Sequence, residues 1–142
     1  MKHRSKVDLV NYRLQRSRET SKEAENSCSH DELHLAENRI YYAIFYMAQA
    51  LSVIHGFSTS KHSALKGWFN KEFVSKGVIE AKYSKIYNEA FEKRMEGDYD
   101  DFIVFEKEEV KEDITAMKEF LAVIGDFIQK QMLEKKDDKS FS

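Results

Sequence analysis

The chain has no proline in 142 residues, and its apolar residues recur three and four positions apart. Proline is the residue that most reliably breaks a helix, so nothing here interrupts a helical period once it begins. No segment alternates with the period of two that a half-buried strand requires. The chain therefore reads as all-α, a four-to-five-helix up-and-down bundle with one short helix capping an end.

Five helices are expected. The first covers about 7–27 along a thin stripe of Val7, Val10, Leu14, Ser17, Ser21, Ala24 and Cys28. Its second half is so small and polar that it must pack closely or fray. Ser29 with Glu32 forms a capping-box pattern for the second helix, which runs to about His55 on Leu33, Ala36, Ile40, Ala43, Met47, Leu51 and Ile54. Tyr41 and Phe45 widen that stripe until most of the helix is covered, which makes it the central one. Gly56 supplies a left-handed end, and Ser58-Thr59-Ser60 offers caps for a short helix over 61–76 that Gly77 ends. Its anchors are Trp68, Phe69 and Phe73. A fourth helix, 80–96, buries Tyr83, Ile86, Tyr87, Ala90 and Phe91 and stops at Gly97. The fifth, 106–132, carries Val110, Ile114, Met117, Leu121, Ile124 and Ile128. Phe120 and Phe127 fall on an outward-leaning side of it, an apolar strip that a second copy would seal, so a homodimer is expected. Residues 1–132 form one domain, and the charged end 133–142 reads as a disordered tail.

Composition bounds the class. A hydrophobic fraction of 42% supports a core, and 34% charged residues give a hydrated surface. The longest apolar run, Ile40 to Ala48, is nine residues, against the ~20 a membrane helix needs. The start Met-Lys-His-Arg-Ser-Lys lacks the apolar block of a signal peptide, and the single Cys28 has no partner for a disulfide. A cytoplasmic protein with no membrane association is expected, Cys28 being a buried or half-buried structural thiol. The formal charge of -2 gives no sign of nucleic-acid binding, but its distribution is uneven. Lys2, Arg4, Lys6, Arg13, Arg16, Arg18 and Lys22 crowd the N-terminal flank, and Asp98 to Asp113 is acidic. That basic flank is either a phosphate contact or a solvated helix face.

Few residues invite chemistry. Arg94 and Asp98 are four apart and meet if the helix persists past Gly97; Tyr99 then lies close to a planar cation suited to phosphate. Asn38, Tyr42 and Gln49 form a polar-tipped line along one flank of the central helix, at offsets of four and seven. His62 stands at a helix start, as a packing or capping residue or as a phosphate or proton-transfer group. His30, His34 and Glu37 share a helical spacing, but paired His without a placed third ligand is a weak metal signal, and no metal site is expected. No glycine-rich phosphate loop, nucleophile elbow or cysteine-pair signature is present, so no cofactor and no autonomous nucleotide hydrolysis are expected.

The segments Asn38-Arg39-Ile40-Tyr41-Tyr42-Ala43 and Arg94-Met95-Glu96-Gly97-Asp98-Tyr99, with Lys61-His62-Ser63 between them, resemble the HEPN family of small helical prokaryotic domains, over about Asp31 to Phe127. The resemblance implies a helical bundle, commonly dimeric, that often works beside a minimal nucleotidyltransferase. It also implies a groove where the two segments pack together, which carries over to Asn38, Arg39, Tyr42, Arg94, Asp98 and Tyr99 as nucleotide or RNA contacts, with His62 added as a candidate from its place at the helix start. The family's nuclease branch has an Arg followed a few residues later by a His, whereas here Tyr99, Asp100 and Asp101 occupy those positions. The resemblance thus implies a non-catalytic partner of a minimal nucleotidyltransferase in a toxin–antitoxin or defence module. Two alternatives stay open: a metal-independent ribonuclease using Arg94 with His62 or Tyr99, and a dimerisation module without ligand. The same polar set also reads as a satisfied core cluster that fixes helix register.

Overall fold

The computed structural model describes residues 5–135. Among them are five α-helices and no strand: α1 (Lys6–Ser29), α2 (Leu33–Ile54), α3 (His62–Phe69), α4 (Ala81–Tyr99) and α5 (Lys107–Lys135). The turn after α3 widens to a π-helical stretch, Asn70–Val74, closed by Ser75 N–H donating to Asn70 O at 2.8 Å. The expected single helix over 61–76 is therefore an α-helix followed by a π-helical stretch, with Phe69 and Phe73, four apart, both buried. Helix α5 remains helical to Lys135; residues 136–142 of the expected tail lie outside the described residues.

Helix α2 is the centre, packed against α1, α3, α4 and α5. The four long helices alternate in direction, Ser17 meeting Ala43, Lys82 meeting Glu119 and Lys93 meeting Asp113, and α3 lies against α2 from His62 at Tyr41 to Trp68 at His55. The small residues of α1 pack closely rather than fray: Ser17, Thr20, Ser21, Ala24 and Ser27 are all buried. Ser17 Oγ donates to Ala43 O at 2.7 Å and Thr20 Oγ1 to Arg16 O at 2.6 Å, so their hydroxyls are satisfied inside.

Three local readings are corrected. Ser29 does not cap α2. It is the last residue of α1, its Oγ donating to Asn26 O at 2.8 Å, while Glu32 precedes α2 without a side-chain cap. The connection closes instead through a Schellman pair, Glu32 N–H to Ser27 O at 2.9 Å and Asp31 N–H to Cys28 O at 3.0 Å, with Asp31 left-handed at φ 60°. Gly97 does not end α4; a Cβ there would meet the Phe105 ring at 3.2 Å. It is a close-approach glycine inside a helix that continues to Tyr99. Phe120 is not an outward strip: at 0% exposure it packs against Phe69, Tyr83 and Tyr87, and Phe127 packs edge-on to Phe73. Gly56, at φ 69°, ends α2 as expected.

Candidate functional site

Two helices and one helix start converge on the Tyr41 ring. From α2 come Tyr41, Tyr42 and Phe45, from the start of α3 comes His62, and from α4 come Phe91 and Arg94. The His62 ring stacks on Phe45 at 4.3 Å and lies 5.6 Å from both Tyr41 and Tyr42. Its Nδ1 is 2.8 Å from the Tyr41 hydroxyl. Tyr41 is fully buried, and burial holds its pKa well above the ordinary value against the opposing charge of Arg94. The phenol therefore keeps its proton; donating it to His62 Nδ1 corresponds to the Nε2–H tautomer of the ring, and accepting from Nδ1–H to the other. Burial, and then Arg94, lowers the His62 pKa, so the ring is neutral at physiological pH.

The Arg94 guanidinium lies 5.1 Å over the Tyr41 ring and 5.5 Å over Tyr42. Its side chain is 15% exposed, and Nε donates to Asp98 Oδ2 at 3.0 Å. This is the four-apart ion pair, made because α4 persists through Gly97. Of the guanidinium's five N–H donors, only that one has a protein acceptor among the described residues. Arg39 also lies over the Tyr42 ring, at 5.2 Å, and is held by Asn38, whose Oδ1 accepts from Nη2 at 2.7 Å and from Nε at 3.1 Å. Arg39 Nη1 also reaches Glu23 at 3.3 Å.

Six of the seven sequence-designated residues thus gather: Asn38, Arg39, Tyr42, His62, Arg94 and Asp98. Tyr99 does not join them. It is 75% exposed at the end of α4 and makes none of these contacts. Tyr41 was legible only as a stripe-widening aromatic, although the doubled Tyr41-Tyr42 was the available signal. Lys66, 5.0 Å over Phe91, also lies at this face.

The remaining polar candidates have other work. His30 Nδ1 lies 2.8 Å from Asn26 O, and His34 Nε2 lies 3.0 Å from Ile103 O. Glu37 turns inward, one residue before Asn38. It is 1% exposed and both carboxyl oxygens lack a hydrogen bond. Burial, with Asp113 facing it, pushes its carboxyl up to about 9, against the pull of nearby Lys93. Cys28 is a buried free thiol. No helix among the described residues is long and apolar enough to cross a membrane.

The architecture is a small helical bundle with a cation–aromatic cluster on its second and fourth helices and the start of its third. The family profile of the HEPN domain matches residues 10–127, and the chain belongs to the HEPN family. It is 40% identical over 124 residues to a "UPF0332 protein" of Thermotoga maritima, covering 87% of this chain and 94% of that protein. It is 30% identical over 111 residues to a Methanocaldococcus jannaschii protein named "Putative toxin MJ0142", covering 78% of this chain and 74% of that one. A second protein of that organism, "Putative toxin MJ0605", is 36% identical over 61 residues, 43% of this chain and 46% of its own length.

Proposed function

We propose that the groove binds a nucleotide or an RNA end, and that the protein works as a non-catalytic homodimeric partner of a minimal nucleotidyltransferase in a toxin–antitoxin or defence module. The observation that carries the binding role is Arg94. A guanidinium that is mostly buried, stacked on two rings and bonded through Nε alone holds four N–H donors ready for an acceptor. A phosphate supplies oxygens in the matching fork geometry. In its Nε2–H tautomer, neutral His62 adds a donor at the same wall. The names of the M. jannaschii relatives support the module; exposed Tyr99, Phe102 and Val104 after α4 supply apolar surface for a second copy.

The non-catalytic reading takes His62 as the Nε2–H tautomer. General base catalysis needs a free imidazole lone pair, and in that tautomer the Nδ1 lone pair faces the Tyr41 hydroxyl. One observation favours the ribonuclease alternative: Arg94 and His62 meet on a single ring, Tyr41, at 5.1 and 5.6 Å.

Calorimetric titration with adenosine monophosphate and with a short RNA tests the reading, alongside light scattering for the dimer. Arg94→Lys keeps the charge and loses the fork; it should weaken binding roughly tenfold, the worth of one good charge-assisted bond, with the fold intact. A wild type that binds neither ligand, with a variant that only loses melting temperature, would make the cluster structural. The isolated protein should leave RNA uncut. Cleavage abolished by His62→Ala or Arg94→Ala in folded variants would establish the ribonuclease instead.

A further inference from the structure

The end of the bundle where α1 begins and α2 finishes holds a cavity of about 350 Å³. Two helical faces make its walls. Leu9 and Arg13 are four apart on α1, Gln49 and Val53 are four apart on α2, and the two helices pack together. The loop after α2 supplies a third side. Gly56, left-handed at φ 69°, turns the chain there, and Phe57 stacks on Trp68 at 5.1 Å with the rings 6° from parallel, which fixes that wall. Leu65 of α3 completes the lining. Gln49 lies seven residues beyond Tyr42, roughly 10 Å along the helix axis, and the cavity shares no residue with the Arg94 cluster.

Three properties of the cavity select its ligand. Its charge is one-sided, because Lys6 and Arg13 line it and no carboxylate does. Arg16, Arg39 and Arg94 each pair with a carboxylate, whereas Arg13 pairs with none among the described residues and lies 5.6 Å over the neighbouring Tyr12 ring. An anion is therefore favoured beside it. The second property is an unmet acceptor: Gln49 Oε1 is buried and accepts no hydrogen bond, so a ligand that covers it must bring an N–H or O–H. The third is apolar surface from Leu9, Val53, Phe57 and Leu65, which gains by covering hydrocarbon.

We infer that this cavity captures the C-terminal residue of a partner protein, one that ends in an apolar side chain. Such a residue carries the three matching groups on a single Cα: a carboxylate for Arg13, a backbone N–H for Gln49 Oε1, and a side chain for the apolar walls. An internal Asp or Glu has the carboxylate and nothing for those walls. An ionised fatty acid has the carboxylate and the hydrocarbon, and no donor for Gln49. The volume stands near the lower end of small-ligand sites, about 300–1,000 Å³, which suits one terminal residue and its peptide group rather than a helix. The inference does not depend on the role proposed for Arg94.

Fluorescence anisotropy would use pentapeptides labelled at the amino end, Gly-Ser-Gly-Ser followed by Leu, Val or Phe, each with a free or an amidated C-terminus. Decanoate and oligouridine serve as competitors. The proteins are wild type, Arg13→Gln and Gln49→Leu, each checked for its melting temperature. Wild type should bind a free-carboxylate peptide saturably, and amidation should weaken it about tenfold, the scale of one charge-assisted bond. Arg13→Gln should cost the free peptide the same tenfold and the amidated one nothing, since no pair is then left to break. Gln49→Leu should weaken both peptides and leave decanoate unchanged. The amidation comparison needs no variant, so it decides even where a substitution unfolds the protein. Amidated and free peptides bound equally, or no peptide bound by wild type, overturn the inference. Decanoate bound more tightly than every peptide overturns it in favour of a free fatty carboxylate, and oligouridine that displaces the peptides through Arg13 overturns it in favour of nucleic acid.

Discussion

Helices α2 and α4 hold two polar clusters made from neighbouring residues. Glu37 and Lys93 turn inward toward α5; Asn38 and Arg94, each the next residue, turn outward to the groove. In the inner cluster Lys93 Nζ bonds Asp113 at 2.6 Å and Glu109 at 2.7 Å. Burial works against the Lys93 charge, and its two carboxylate bonds outweigh it, so its pKa is held above the ordinary value. The group left over is an acid, Glu37, kept neutral by burial. In the outer cluster the group left over is a cation's set of donors, those of Arg94. An orphaned acid in a closed interior takes a proton; donors at a partly open wall still meet solvent. The same two helices thus separate an inward ion cluster from an outward cation–aromatic one by one residue of rotation.

The sharpest break of this comparison is Lys93→Met. It leaves Asp113 mostly buried without its cation, and should cost about 3 kcal/mol by denaturant unfolding, the lower end for breaking a buried pair. A loss under about 1 kcal/mol, the scale of a surface pair, would show the inner cluster to be solvated and no different from the outer one.

The next effect is in the pH dependence. Glu37 titrates at about 9 folded against an ordinary 4.5, so the folded state holds a proton that the unfolded chain releases. Its contribution is complete below about 4.5 and is lost as pH rises through about 9. Wild type should therefore lose stability across neutral and mildly alkaline pH by up to about 1.4 kcal/mol per pH unit, and isosteric Glu37→Gln should flatten that slope. Parallel slopes for the two proteins in thermal melts at stepped pH would remove Glu37 from the account.

The smallest effect sharpens the outer cluster. Tyr41→Phe deletes one hydroxyl and should cost about 1 kcal/mol, a single hydrogen bond. Nitrogen NMR of the wild-type imidazole should report the Nε2–H tautomer at His62. A Nδ1–H tautomer would mean that His62 keeps a lone pair toward the groove, and would move the outer cluster from recognition toward catalysis.

Much of this was readable in the chain. The stripes of α2 and α5, the left-handed ends at Gly56 and Gly77 and the Arg94–Asp98 pair are local or nearly so, and a period or a four-residue offset specifies each. The errors share one cause. Ser29 fits a cap by pattern, yet α1 runs through it because its small face stays packed on α2 to the end. Gly97 looks like a stop, and becomes a seat for Phe105 only because the chain returns there after α4. Phe120 falls off the narrow stripe of α5, but the aromatics of α3 and α4 extend the core to meet it.

The sequence by itself determined the number and type of the helices and which residues share a face, since the helical period fixes every side chain's angle about its own axis. Only the tertiary structure decided which way each helix is turned toward its neighbours. A helix gains its stability from the whole of its buried face, so that rotation is set by packing contributed from several helices at once. A rotation of one residue decides whether Glu37 or Asn38, Lys93 or Arg94, meets the groove.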